Sequence, residues 1–161
     1  MIETLAFGGA RLTDMAGVGR ILGLDVGDRW IGVALSDPIG ILACPLTVIC
    51  RTETDASLEA ILELVHQHKV ERIVAGLPYS MDGSIGQQAE KVQDFLQQLS
   101  QRLEIPVETW DERLSTVAAG RMMIEAGVKR GRRKGQVDAD AAAFILQGYL
   151  DKLRANVGTE L

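Results

Sequence analysis

Apolar residues cluster in short bursts over the first third of the chain and then switch to a helical spacing. Arg20 to Val26 is a nearly unbroken apolar run and predicts a buried strand. Gly27-Asp28 predicts a tight turn, and Trp30 to Leu35 the second strand of a hairpin. Ser36-Asp37-Pro38 turns the chain again. Ile41 to Ile49 reads as a third strand, with Pro45 marking an edge position or a bulge. Beyond it Leu58, Ile61, Leu62 and Val65 recur at helical spacing, with Thr54 or Asp55 as the N-cap. Arg72 to Gly76 is a short buried strand, and residues 77–83 are a loop. Ser84-Ile85-Gly86-Gln87 fits a capping box, and Val92, Phe95, Leu96 and Leu99 give the next helix its apolar face. Ile105 to Thr109 is the fifth strand. Ser115 is expected to cap a helix carrying Val117, Met122 and Ile124, which Gly127 ends. A last helix runs from about Val137 to Leu153. Residues 1–19 have no sustained period and read as a mobile leader, 20–154 as one folded domain, and 155–161 as a C-terminal tail. Three strands in hairpin order, then alternating helix and strand, define an α/β fold with a five-stranded mixed sheet flanked by helices.

Three acids fall at junctions of this pattern. Asp25 ends the first apolar run, Glu112 follows the run from Pro106 to Asp111, and Asp138 opens the last helix. Active sites in such folds favour the carboxyl ends of parallel strands. Carboxylates gathered there repel one another unless a cation joins them, and hard oxygen ligands suit Mg²⁺ or Mn²⁺. A metal so held suits phosphoryl chemistry. Each acid also has a plain reading: Asp25 as a turn residue, Glu112 as a helix-end charge beside Arg113, Asp138 as an N-cap. Asp138 and Asp140 compete for the third role, because two residues of helix turn a side chain by about 200°. Asp138 shares its face with Ala141, Ala142 and Ile145, which can lie close against a sheet. Asp140 shares a mixed face with Ala143, Phe144 and Gln147, which makes it an outer or fourth ligand.

Composition then narrows the partners. A chain of 161 residues with 47% hydrophobic and 24% charged residues is ordinary for one soluble domain. No apolar run reaches the ~18 residues of a membrane span, and the start lacks a signal-peptide pattern, so a cytoplasmic protein is expected. The net charge of −5 argues weakly against nucleic acid. Lys129, Arg130, Arg132, Arg133 and Lys134 nevertheless concentrate positive charge just before Asp138, a footprint suited to a phosphate backbone. Cys44 and Cys50 lack zinc spacing and are expected as reduced core thiols. His66 and His68 are expected at the surface. Two Trp, two Tyr and three Phe are too few for a base-stacking platform, which favours structured or duplex substrate held by its backbone.

From about Ile21 to Leu150 the sequence resembles the YqgF family, also called RuvX, of the ribonuclease-H-like nucleases. The resemblance rests on Leu22-Gly23-Leu24-Asp25-Val26-Gly27, Ile31 to Asp37, Gly76-Leu77-Pro78 with Met81 to Ser84, Trp110 to Thr116, and Lys134 to Asp138. It implies a five-stranded ribonuclease-H-like core whose functional acids match Asp25, Glu112 and Asp138. It also implies a role in maturing the 5′ end of the small-subunit ribosomal RNA precursor. Trp30 departs from the family, which more usually carries a basic or small polar residue there; Arg29 could supply the phosphate contact instead. The expectation is an endonuclease with one or two Mg²⁺ or Mn²⁺ ions held by Asp25, Glu112 and Asp138, and with Arg113 and Lys134 as phosphate clamps. Its partners would be precursor RNA or another structured nucleic acid and ribosomal assembly intermediates, with the protein a monomer or homodimer. One alternative is a Holliday junction resolvase, which would need a dimer to space two sites. A second is a non-catalytic RNA-binding assembly factor. A third, a nucleotide-binding module of the actin/Hsp70 type, needs two lobes where this chain has one.

Overall fold

The run Arg20–Val26 is a strand covered on both faces, which is why its apolar residues do not alternate with polar ones. The computed structural model describes residues 5–6, 19–52, 55–79, 82–111 and 134–160, with the side chains of 5–6, 134–137 and 156–160 outside that description. The elements are β1 (Leu5–Ala6), β2 (Arg20–Val26), β3 (Trp30–Ser36), β4 (Ala43–Cys50), α1 (Ala56–His68), β5 (Val70–Leu77), α2 (Gln87–Gln101), β6 (Val107–Asp111) and α3 (Lys134–Glu160). The sheet order is β1-β6-β5-β2-β3-β4. The β2, β3 and β4 strands form an antiparallel meander, while β5 and β6 run parallel to β2. The expected five-stranded mixed sheet is therefore present. Leu5–Ala6 adds a two-residue parallel strand beside β6, and residues 1–4 and 7–18 lie outside the described residues.

Strand alternation sorts the side chains into two layers. Leu22, Leu24 and Val26 of β2 face one way, with Ile31, Val33, Ile73, Ala75 and Val107, and pack on α1 and α2. Ile21, Ala34 and Val74 face the other way and pack on Ile145, Leu146 and Leu150 of α3. The periodic positions Leu58 and Ile61, and Val92, Phe95, Leu96 and Leu99, all lie in the first layer as their spacing predicts.

Several local expectations are corrected. Ser84 does not cap α2: its N–H and hydroxyl both go to Asp82 Oδ1, at 2.9 and 2.6 Å, and Gly86 takes the N-cap position. Asp55 holds the N-cap place of α1 but makes no side-chain cap; its carboxylate meets Arg102 at 2.7 Å. The third strand starts at Ala43 rather than Ile41, because Asp37 Oδ1 accepts the Ile41 N–H at 2.7 Å and holds that stretch in a turn. Pro45 does sit at a register shift on the edge strand β4. Cys44 and Cys50 are exposed on that edge rather than buried in the core. The last helix begins at Lys134, before the expected Val137, and continues to Glu160. Lys134, the last residue of the basic run, is thus the first residue of α3. Residues 112–133, which hold the helix expected behind Ser115 and most of the basic run, lie outside the described residues.

A polar cluster pins the middle of α3. Arg72 Nη1 donates to Tyr149 Oη at 2.7 Å, the Tyr149 hydroxyl donates to Glu108 Oε2, and Arg72 and Glu108 approach to 3.7 Å. Burial, and then the neighbouring Glu108 carboxylate, push the Tyr149 phenol above its usual value. The native state therefore favours the neutral phenol. This contribution is complete below the unfolded value near ~10 and is lost as pH rises beyond it. Tyr149→Phe should cost about 1–3 kcal/mol at neutral pH by removing the buried hydroxyl that bridges Arg72 and Glu108, and denaturant melts should show that the variant lacks the alkaline loss.

Candidate active site

Asp25 is the next-to-last residue of β2, and its backbone is fixed by the buried Leu24 and Val26 on either side. It pairs directly with Gly32 of β3. Residues directly opposite in an antiparallel pair project to the same face of the sheet. A Cβ placed on Gly32 would overlap the backbone carbonyl carbon and oxygen of Asp138 and lie 3.0 Å from the Ala139 nitrogen. The start of α3 thus lies directly on β3 at Gly32, and the Asp25 side chain projects to that same face. Backbone contact this close is what a glycine inside a strand permits. The Asp25 and Asp138 positions are therefore brought together, although 113 places apart in sequence.

The small residues of α3 allow the approach. Ala139, Ala141 and Ala142 are all buried, and Ala142 packs with Ile145 and Leu146 against Ile21, Ala34 and Val74 of the sheet. The face shared by Asp140, carrying Ala143, Phe144 and Gln147, is only half-buried, as the helical period predicts. Asp138 is the fifth residue of α3, so it is not the N-cap. Gly23, two residues before Asp25, presses the next part of the helix: a Cβ there would lie 2.8 Å from Leu146 Cβ and 3.1 Å from the Ala142 carbonyl oxygen.

Asp25 and Asp138 are half-buried, and the Oδ2 atoms of Asp138 and Asp140 are shut off from solvent. Carboxylate oxygens withdrawn from water are hard donors of the kind that hold Mg²⁺ or Mn²⁺. Among the described residues no three acidic, His or Cys side chains gather as a metal site. A third donor would have to come from outside them. Glu112 lies outside, one residue past the end of β6, as do Arg113, Lys129, Arg130, Arg132 and Arg133. Arg29 is exposed in the β2–β3 turn, next to the Asp25 end of the sheet.

Two contributors escape a reading of spacing alone. Gly32 is one; its signal is a glycine between Ile31 and Val33 in an otherwise apolar strand. Arg51 is the other. Its Nη1 donates to the Gly27 carbonyl at 2.9 Å, its backbone N–H to the Arg29 carbonyl at 2.7 Å, and its guanidinium lies 5.0 Å above the Phe95 ring. The turn after Asp25 is thereby fastened to α2.

This architecture has known counterparts. Thermus thermophilus RuvC in complex with a Holliday junction substrate superposes with a TM-score of 0.53 at 15% identity, over 86% of this chain and 97% of that one. Fowlpox virus resolvase in complex with junction DNA does so with a TM-score of 0.53 at 10% identity, over 83% and 98%. At such identities the likeness is one of fold, and the fold is ribonuclease-H-like. Residues 19–152 match the RuvX family, described as Holliday junction resolvase, and the chain belongs to that family. It is accordingly a nuclease, a hydrolase of phosphodiester bonds. Relatives from Desulforamulus reducens (51% identical, covering 82% of this chain and 96% of the relative) and Moorella thermoacetica (53%, 85% and 98%) are named as candidate pre-16S rRNA nucleases.

Proposed function

We propose that the protein is a metal-dependent endonuclease that processes the 5′ end of precursor small-subunit ribosomal RNA, with Asp25, Glu112 and Asp138 as its acidic centre. The observation that carries the site is the seating of Asp138 on Gly32, the strand partner of Asp25. On β6, Glu108 and Trp110 share the α3 side with Tyr149. In the sequence, Glu112 continues the spacing of two set by Glu108 and Trp110. The relatives' names support the choice of precursor RNA.

Asp25, Glu112 and Asp138 would hold the cation, with Asp140 as an outer donor. A bound Mg²⁺ or Mn²⁺ supplies Lewis acidity to the phosphate and lowers the pKa of its water. The remaining work belongs to the chain. Arg29 and Arg113 flank the acids and fix the register of the phosphate backbone. Lys129, Arg130, Arg132, Arg133 and Lys134 grip it without reading bases. Among the described residues no helix is long and apolar enough to cross a membrane, in keeping with a cytoplasmic site of action.

The test is cleavage of precursor small-subunit ribosomal RNA beside a four-way DNA junction, each with Mg²⁺, Mn²⁺ or EDTA. Metal-dependent cutting of the RNA is expected. Affinity should drop about 10³-fold between 50 and 200 mM salt if about six phosphates are contacted. Selective junction cutting would replace the RNA reading with the resolvase one, for which the family description speaks. Tight binding with no cutting of either substrate would leave an assembly factor in place of an enzyme.

A further inference from the structure

Trp30 has no role in the proposed reaction and makes no part of either core, yet it stands at the edge of the acidic site. It opens β3, two residues before Gly32, and so projects to the same face as Asp25 and the start of α3. Relative to Asp25 it is the diagonal neighbour of the strand pair, a separation of ~7–8 Å that an aromatic side chain bridges. It is 38% exposed.

A single exposed aromatic usually needs no explanation. Two features set this one apart. Its backbone is held from both sides: the Trp30 carbonyl accepts the Gly27 N–H at 2.9 Å, and Trp30 pairs with Cys50 across β4. The turn before it is fastened by Arg51, through Gly27 and Arg29. The indole is therefore presented on a rigid frame rather than on a loose loop. Its sequence neighbour Arg29 is exposed and cationic. An exposed arginine and an indole at consecutive positions of the chain supply the chemistry of the two halves of one nucleotide, its phosphate and its base.

We propose that Trp30 is a specificity-determining contact that stacks on an unpaired nucleobase beside the cleaved phosphate. The inference rests on the nuclease reading and deepens it. A base inside a continuous helix has no free face to offer, whereas a single-stranded or frayed one does. The enzyme would hold structured nucleic acid by its backbone and choose, at the cut itself, a strand whose flanking base is out of the stack.

The experiment uses the full chain and a precursor ribosomal RNA fragment spanning the mature 5′ end. Binding is followed by indole fluorescence in the Asp25→Asn background. The chain has two tryptophans, so Trp30→Phe leaves Trp110 as the sole indole. Quenching on binding is expected with Trp30 present and absent in Trp30→Phe. With Asp25 intact, Trp30→Ala should raise KM about 5- to 150-fold, the span of a lost base stack. Trp30→Phe should recover most of that loss, and kcat should change little. An abasic nucleotide beside the cut should erase the difference between wild type and Trp30→Ala. Quenching that persists in Trp30→Phe, or an unchanged KM in Trp30→Ala, would overturn the stacking contact while leaving an Asp25-dependent nuclease standing. Failure of the wild-type protein to bind or cut any nucleic acid would overturn the nuclease reading, and the stacking contact with it.

Discussion

Asp25→Asn should lower phosphodiester cleavage by at least about 10²–10³-fold, the scale of losing one group that stabilises charge developing in a transition state, and should leave the fold intact. The substitution keeps the shape of the side chain. The residue is half-buried at the end of β2, and its position is set by Leu24 and Val26, both buried on the opposite face. What changes is charge. Without a cation, neighbouring carboxylates oppose one another, so the thermal midpoint of the variant should equal or slightly exceed that of the wild type. The same logic predicts that the wild type gains more stability from Mg²⁺ than the variant does, by the linkage of binding to folding. Paired measurements of kcat and of melting with and without Mg²⁺ check both halves. Cleavage within tenfold of wild type would remove Asp25 from the centre.

Gly32→Ala should damage both stability and activity. The added methyl would overlap the Asp138 carbonyl, which is backbone and cannot swing aside as the tip of a flexible side chain can. The start of α3 must then lift from β3. Overpacking of this kind typically costs about 1–3 kcal/mol and can cost more. Displacing a catalytic group by ~1 Å can cost about 10²-fold in rate, so a loss of that size is expected even where the variant remains folded. Gly23→Ala is the control. It strikes the same helix, with the Leu146 side chain as its first obstacle, farther along α3 from Asp138. It should lower the melting temperature with a smaller effect on kcat. If Gly32→Ala retained both stability and rate, the seating of Asp138 on the sheet would be wrong.

Much of the fold was legible because its signals are local. Leu58 and Ile61, and Val92 through Leu99, show their helical period directly, and the burst from Ile21 to Val26 needs no partner to be read as a buried strand. Features that depend on distant chain were not legible. Cys44 and Cys50 look like core thiols until β4 is known to be the sheet edge. Leu5–Ala6 acquires meaning only beside Val107 and Glu108. Ser84 had the right spacing for a cap, but Asp82, two residues away, competes for its hydroxyl. Lys134-Gly135-Gln136 carries no apolar period, so periodicity alone puts the start of α3 too late. Of the three proposed acids, the placement of Asp25 and Asp138 follows from their junctions, and the face of Asp138 from its small neighbours. The physical reason that the Asp25 and Asp138 positions lie near one another is the missing side chain at Gly32, visible only once β3 and α3 are stacked.

The exposure of both cysteines on one edge strand has a practical corollary. Six residues of extended chain separate Cys44 from Cys50 by roughly 20 Å, far beyond the ~7 Å Cα separation a disulfide can bridge. Oxidation therefore cannot close a loop within one molecule and can only join two. A preparation handled without reductant would accumulate covalent pairs linked through β4. On a sizing column these would imitate the two-fold assembly that a junction resolvase requires, with an orientation set by air rather than by the protein.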